Sequence, residues 1–477
     1  MPDLPGVLAT HTGMGYIVAP AGFGKTHLIA QSVARAQRRQ LVLTHTYAGV
    51  HALQRKMREL SVPSALFQID TIASWALRLC LSYSATAAWT VERPSSAQWT
   101  KLYRACTALL DHTFARRIVN TSYAGLYVDE YQDCSMVQHE LVLKLARDLP
   151  CRVLGDPLQA VFDFKNESVE WHRDVVATFE QLGDLDTPYR WEKAGRPEMG
   201  TWLRHARAAL ENGRPVRLDH GLPTGIVCKH VKDTTALLRV QGNACRYLTI
   251  DRADTAIAIH KGSPEYKAKC HNLARSVAGK FGSIEEIEGK ALFAFVKKVE
   301  LAPTATARLV AVLKFAADCL TNVKENLAAA TRKGTYAKLT KSTRNPSLAK
   351  AANDYLDTPT NAAMAALLVA IRSAAGVELV RMDLFNRMLS VLRKQALNPP
   401  LSLTEAAEKY HAEFRHSGRP VGRRLIGTTL LVKGLEFDHA IVLDASSLSR
   451  RELYVALTRG AKSLTIIATS AELNPPG

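Results

Sequence analysis

The sequence predicts an α/β protein with two parallel-sheet domains, the second interrupted by a mainly helical insertion. Three observations predict it. Short apolar runs alternate with helical stretches through residues 1–185. The same alternation returns in residues 186–285 and 421–477. Between them, residues 286–420 are rich in Ala, Leu and Lys with helical periodicity, as in ALFAFVKKVEL and ARLVAVLKFAADCL.

The first domain is read from four runs: YIVAP (Tyr16–Pro20), LVLTH (Leu41–His45), LYVDE (Leu126–Glu130) and RVLGD (Arg152–Asp156). Each is apolar at nearly every position, which suits parallel strands covered on both faces. HLIAQSVARAQRR and VQHELVLKLARDL supply crossover helices, and residues 81–119 form a small insertion. Polar residues gather at the carboxyl ends of the strands, where open α/β sheets bind ligands. In the second domain, IVCKHV (Ile226–Val231), TAIAIH (Thr255–His260), LIGTTLLV (Leu425–Val432), AIVLD (Ala440–Asp444) and LTIIAT (Leu464–Thr469) are the expected strands.

Composition narrows the class. A chain of 477 residues exceeds what one hydrophobic core supports, and 47% hydrophobic with 22% charged residues excludes a disordered chain. The formal charge of +18 favours a polyanionic partner, with nucleic acid the usual one. Eight scattered cysteines without a CxxC pair exclude a zinc ribbon, an iron–sulfur motif and a disulfide framework. The start MPDLPGVLATH lacks the pattern of a secretory leader, and the longest apolar stretch, AAMAALLVAI, is half a membrane span. Cytoplasmic residence, with no membrane partner, is the expectation. Within the insertion, RKGTYAKLTKSTRNP (Arg332–Pro346) holds five basic residues and no acidic one. A DNA-contacting loop and a solvated loop are both open there.

APAGFGKTHLIA (Ala19–Ala30) follows a strand and opens a helix, the context a phosphate-binding loop needs. Over Ala21, Gly22, Phe23, Gly24, Lys25, Thr26 and His27, the glycines let successive N–H groups face phosphate oxygens. Lys25 is expected on the β- and γ-phosphates of ATP, and the Thr26 hydroxyl on Mg²⁺. Ala19 stands where the general pattern has its first glycine. In LYVDEYQDCS an apolar strand ends in two adjacent carboxylates, a costly arrangement without a cation. Asp129 is the expected Mg²⁺-side carboxylate, and Glu130 the base that orients and deprotonates the attacking water.

DEYQD resembles the DExQD element of the UvrD/Rep-like helicases of superfamily 1A, and further elements follow in that family's order. LTHTYAGVHALQRKM is similar to TFTNKAA, DTIASWALRL to THSFA, GDPLQAVFDFK to GDxxQSIYxFR and TPYRW to NYRS. LLVKGLEFDHAIV is similar to the KGLEFD element and ELYVALTRGAKSL to LYVALTRA. FGSIEEIEGKALFAFVKKV resembles the segment where the family enters its second insertion.

The resemblance implies two RecA-like P-loop domains with a 2B-like helical insertion, and an ATP-dependent motor moving 3′ to 5′ on single-stranded or partially duplex DNA. Gln159 would sense the γ-phosphate, and Arg190 and Arg459 would reach it from the second domain as arginine fingers. Tyr189 would stack on the base, and Gly434 and Glu436 would close on the nucleotide, Glu436 binding the ribose. Phe162, Phe164 and Lys165 match the family's DNA track, with His45 and Trp75 as candidates from earlier elements. Phe162 and Trp75 have a second reading as core aromatics.

The chain departs from the family's pattern in three places. MPDLPGVLATHTGMG has no glutamine to read adenine, Pro188 and Trp191 replace Asn and Ser of NYRS, and Leu430 replaces a histidine. The missing glutamine and the small first insertion keep open a second function, a DNA-activated NTPase that regulates a partner without unwinding. Compact helicases of this kind stand beside a nuclease in anti-phage systems such as Gabija, so a nuclease or a repair or defence protein is a candidate partner. A catalytically dead scaffold is disfavoured by intact Lys25, Thr26, Asp129, Glu130, Gln159, Arg190 and Arg459.

Overall fold

The computed structural model describes residues 3–161, 168–286, 289–341, 343, 345–417 and 422–476. The chain forms two compact units. One comprises Met1–Ile226, Leu448–Lys462 and Glu472–Gly477, and the other Val227–Ser447 and Ser463–Ala471.

The first unit is built on a six-stranded sheet of β1 (Met14–Val18), β2 (Gln40–Thr44), β3 (Phe67–Thr71), β4 (Gly125–Val128), β5 (Cys151–Gly155) and β6 (Glu180–Asp184). Its order is β3-β2-β4-β5-β1-β6, and every pair is parallel. Alternate residues of the central strands enter opposite cores, as the two-residue period of a strand requires. Tyr16, Leu41, Leu43, Leu126, Val128 and Val153 face one core, packed by helices Ile72–Ser82, Trp99–Leu109 and Met136–Ala146. Ile17, Val42, Tyr127 and Leu154 face the other, packed by Lys25–Ala34 and Tyr47–Glu59. The small insertion therefore adds helices to one face only.

Strands β3 and β6 carry no uniformly apolar run, and neither was expected from sequence. Both are edge strands with one neighbour, and their side chains are largely half-buried or exposed. A short antiparallel pair, β7 (Val216–Arg217) with β14 (Glu472–Leu473), completes the unit.

The second sheet contains β8 (Ile226–His230), β9 (Ala256–His260), β10 (Gly282–Ser283), β11 (Arg424–Thr428), β12 (Phe437–Val442) and β13 (Gly460–Ala468), in the order β10-β11-β9-β12-β13-β8. LIGTTLLV is only partly strand: β11 stops at Thr428 and Thr429–Val432 turn helical, burying Thr429 and Val432 at helical spacing. The long helices Lys290–Glu300, Ala305–Cys319, Pro346–Asp357, Asn361–Arg372, Met382–Leu397 and Leu403–Ser417 make the insertion, around their own core of Leu309, Phe315, Leu368, Phe385 and Leu392.

All eight cysteines are free. Among the described residues no helix is long and apolar enough to cross a membrane.

Candidate nucleotide site

Strand register builds the site. Val18 pairs with Gly155, and Leu43 with Val128, so four strands end along one edge. The loops that follow, beginning at Ala19, His45, Asp129 and Asp156, are thereby neighbours. Ala19 N–H donates to the Gly155 carbonyl at 2.8 Å, and Asp129 N–H to that of Leu43 at 2.8 Å.

Gly22 and Gly24 have φ of +79° and +91°, where a side chain is strained, and Gly24 caps helix Lys25–Ala34. That helix brings Lys25 into the buried edge. Its ammonium donates to a Glu130 carboxylate oxygen and lies 3.3 Å from Asp129 Oδ1. Burial alone would lower the Lys25 pKa, but the carboxylates of Asp129, Glu130 and Asp156 outweigh it and hold the pKa above the ordinary lysine value. Burial raises the Asp129 carboxyl, and the charge of Glu130 adds to it against Lys25. Glu130 sits at φ +57°, and Gln132 donates to its second oxygen at 2.5 Å. His27 and Thr26, on the first turn of the helix, are half-buried; burial and then Lys56 hold the His27 imidazole below its usual value.

Asp156, fully buried, is the hub of a second network. It accepts from Ala21 N–H at 3.2 Å, Gln159 Nε2 at 2.9 Å, Leu158 N–H at 3.2 Å and Arg207 Nη1 at 2.6 Å. Arg207 also donates to the Tyr454 hydroxyl at 2.9 Å, which accepts from Ala21 N–H at 3.2 Å. Gln159 turns its carbonyl oxygen to Arg459 Nη2 at 3.2 Å. Arg190 Nη1 donates to the Thr458 carbonyl at 2.5 Å.

Thus Lys25, Asp129 and Glu130 converge, and so do Gln159 and Arg459. Arg190 and Arg459, expected from the second domain, belong to the same compact unit as the loop. The reason is local, because helices Pro197–Glu211 and Arg450–Leu457 bring Arg207 and Tyr454 onto Asp156. Arg207, Tyr454 and Asp156 were missed as site residues. The signal available for Arg207 was a lone arginine within the apolar-periodic ARAAL, and burial alone makes it meaningful.

Tyr189 is 52% exposed, and its ring lies about where a Cβ on Gly24 would reach, 3.0 Å from Cδ2. Gly434 (φ +75°) and Glu436 are exposed in the turn before β12, in the second unit. Two nucleic-acid candidates are placed by the structure. His45 is half-buried, its Nε2 3.3 Å from Cys134 Sγ. Trp75 is corrected to a core residue: at 3% exposure it packs among Leu43, Ile72 and Leu126, with no open face for a base. Phe162, Phe164 and Lys165 lie outside the described residues.

Among the described residues no cluster of three or more His, Cys, Asp or Glu side chains forms a metal cage. Magnesium bound with a nucleotide needs none, since phosphates and water supply most of its ligands. A buried carboxylate at a strand end, such as Asp129, has the chemistry that a cation there would demand.

A glycine-bearing loop on a parallel sheet, its lysine set against paired strand-end carboxylates, defines a P-loop nucleotide-binding domain. Residues 93–175, which contain DEYQD and GDPLQ, match the model of the UvrD/REP helicase N-terminal domain. Over that segment the chain is similar to the UvrD/REP helicases.

No curated protein matches the chain. Among solved structures, arterivirus nonstructural protein 10 (helicase) with DNA is similar at 9% identity and a TM-score of 0.36, over 98% of this chain and 62% of that one. The Pif1 helicase from Candida albicans is similar at 11% identity and a TM-score of 0.41, over 98% of this chain and 94% of that one. This chain thus spans less than two thirds of the arterivirus helicase.

Proposed function

We propose that this protein is an ATP-driven DNA helicase or translocase that moves 3′ to 5′ along single strands. The observation that carries the reading is Lys25, buried against the carboxylates of Asp129 and Glu130 at the strand ends. In a nucleotide-bound state the ammonium would leave those carboxylates for the β- and γ-phosphates, freeing Glu130 to act as base.

The water oxygen then forms its bond to the γ-phosphorus as the bond to the β–γ bridging oxygen breaks. Glu130 takes the water proton, and ADP and phosphate leave. Arg190 and Arg459 stabilise the charge that spreads over the γ-oxygens, and Gln159, already against Arg459, reports their presence. Thr26 and Asp129 would hold a magnesium ion, which when bound would supply positive charge to the nucleotide's phosphates. Tyr189 offers an exposed ring for the base. Phe162, Phe164, Lys165 and His45 form the DNA track, where stacking tolerates any base.

The absence of a glutamine before Tyr16 favours a second reading, an NTPase switched by DNA that governs a nuclease or other partner. One experiment separates the readings: steady-state hydrolysis of ATP and GTP by the pure protein, with and without single-stranded DNA, beside Lys25→Ala. A motor gives strong DNA stimulation that vanishes in Lys25→Ala, followed by strand displacement in an unwinding assay. Stimulation without strand displacement selects the regulator. Hydrolysis that survives Lys25→Ala overturns the site.

A further inference from the structure

Trp191 stands where the family's NYRS element has serine, and its surroundings give the replacement a purpose. Its side chain is fully buried on the short helix Tyr189–Lys193. The indole Nε1–H donates to the Gly460 carbonyl at 2.9 Å, directly after Arg459. The ring edge meets Phe23 of the phosphate loop, centroids 6.3 Å apart at 73°. It also fills the space beside Gly22, where an added Cβ would come 2.8 Å from the ring.

The neighbouring arginine shares the arrangement. Arg190 N–H donates to the Gly22 carbonyl at 3.0 Å, its guanidinium carbon lies 5.4 Å from the centre of the Trp191 ring, and its Nη1 reaches the Thr458 carbonyl at 2.5 Å. One rigid ring therefore touches the phosphate loop, one arginine and the turn that carries the other. Serine in its place fills none of that volume and reaches neither side.

We infer that Trp191 is a positioning residue that fixes the phosphate loop and Arg190 in register with the Thr458–Gly460 turn. The inference rests on the proposed hydrolysis at this site and adds a residue the family pattern does not contain. A guanidinium contributes to phosphoryl transfer only when preset on the oxygens where charge develops, and a displacement of about 1 Å costs roughly 100-fold. Losing the ring thus weakens turnover more than nucleotide binding, because Lys25 and the loop amides remain.

The test measures kcat and KM for ATP in Trp191→Ala, Trp191→Phe, Arg190→Ala and the corresponding double variants, with Lys25→Ala as the blank. Trp191→Ala is expected to lower kcat about 100-fold while KM stays within about threefold. Trp191→Phe, which keeps a ring on Gly22 and under Arg190, should recover kcat to within about tenfold of the parent. In the Arg190→Ala background, removing the ring should cost at most about tenfold more, because the part of its effect that runs through that arginine is already lost.

Equal losses in both backgrounds, or kcat and nucleotide affinity falling together, would assign Trp191 to general packing and overturn the inference. If Trp191→Ala does not fold, the same comparison is made with Trp191→Phe, whose lost hydrogen bond must lower kcat more in the parent background than beside Arg190→Ala. Lys25→Ala separates the two levels. Hydrolysis that survives it removes the site and this role together. A dead Lys25→Ala beside fully active Trp191 variants removes the role alone.

Discussion

Arg207→Met isolates the buried ion pair under the phosphate loop. In the native structure Asp156 is fully buried and takes its strongest donor, at 2.6 Å, from Arg207. The substitution keeps the helix and most of the volume and removes the cation. Asp156 retains Ala21 N–H, Leu158 N–H and Gln159 Nε2, but its charge stays buried beside methylene groups. Breaking one side of such a pair costs about 3–5 kcal/mol. For a unit of this size that lowers the unfolding midpoint by about 6–20 °C.

Tryptophan fluorescence is the assay, because all six tryptophans lie within Met1–Ile226 and report the first unit alone. Adding Asp156→Asn should restore at least half of the loss, since no charge then remains buried. A midpoint within 1 °C of the parent, on the order of a few tenths of a kcal/mol, would refute the reasoning. So would a double variant whose loss is the sum of the single ones.

Three further outcomes follow from the same geometry. Glu130→Gln should preserve nucleotide binding while lowering kcat about 100- to 10,000-fold, measured by titration with a fluorescent ATP analogue beside steady-state turnover; a small effect on kcat would remove Glu130 as base. Gly22→Ala places a side chain at φ +79° and 2.8 Å from the Trp191 ring, and should weaken nucleotide affinity about 5- to 160-fold from roughly 1–3 kcal/mol of strain. An unchanged Kd would show that the loop relaxes freely.

In the second unit, burial and then Lys269 lower the His260 pKa from 6.5 to about 4. The unfolded chain therefore binds a proton more readily than the folded one. Stability present above pH 6.5 is lost as pH falls through about 4, by about 3 kcal/mol in all. Denaturant midpoints followed by circular dichroism across that window should slope less in His260→Gln. An unaltered slope would place the titration elsewhere.

Much of the site is legible because its chemistry is local in sequence. A strand, a glycine-bearing turn and a lysine on the first helical turn are contiguous, so Ala19–Ala30 predicts the phosphate loop by itself. The paired carboxylates of Asp129 and Glu130 are legible for the same reason, since charge at the end of an apolar run demands a cation. Edge strands β3 and β6 escape, because half-covered strands need no uniform apolarity. For Trp75 the sequence leaves a stacking and a core reading open, and packing decides for the core.

By itself, the sequence determined the α/β class, and it marked the helical insertion, the glycine-bearing turn and the paired carboxylates that the fold sets against Lys25. Only the tertiary structure decided what joins them. Arg207 and Tyr454 are 247 residues apart and meet on Asp156, and Trp191 reaches Gly460 across 269 positions. No local period encodes such pairs, because a buried ion pair or a ring against a glycine is specified by the space left between packed elements. The physical reason is desolvation: arginine on a helix is unremarkable in water, and becomes a structural requirement once the fold has buried an aspartate beside it.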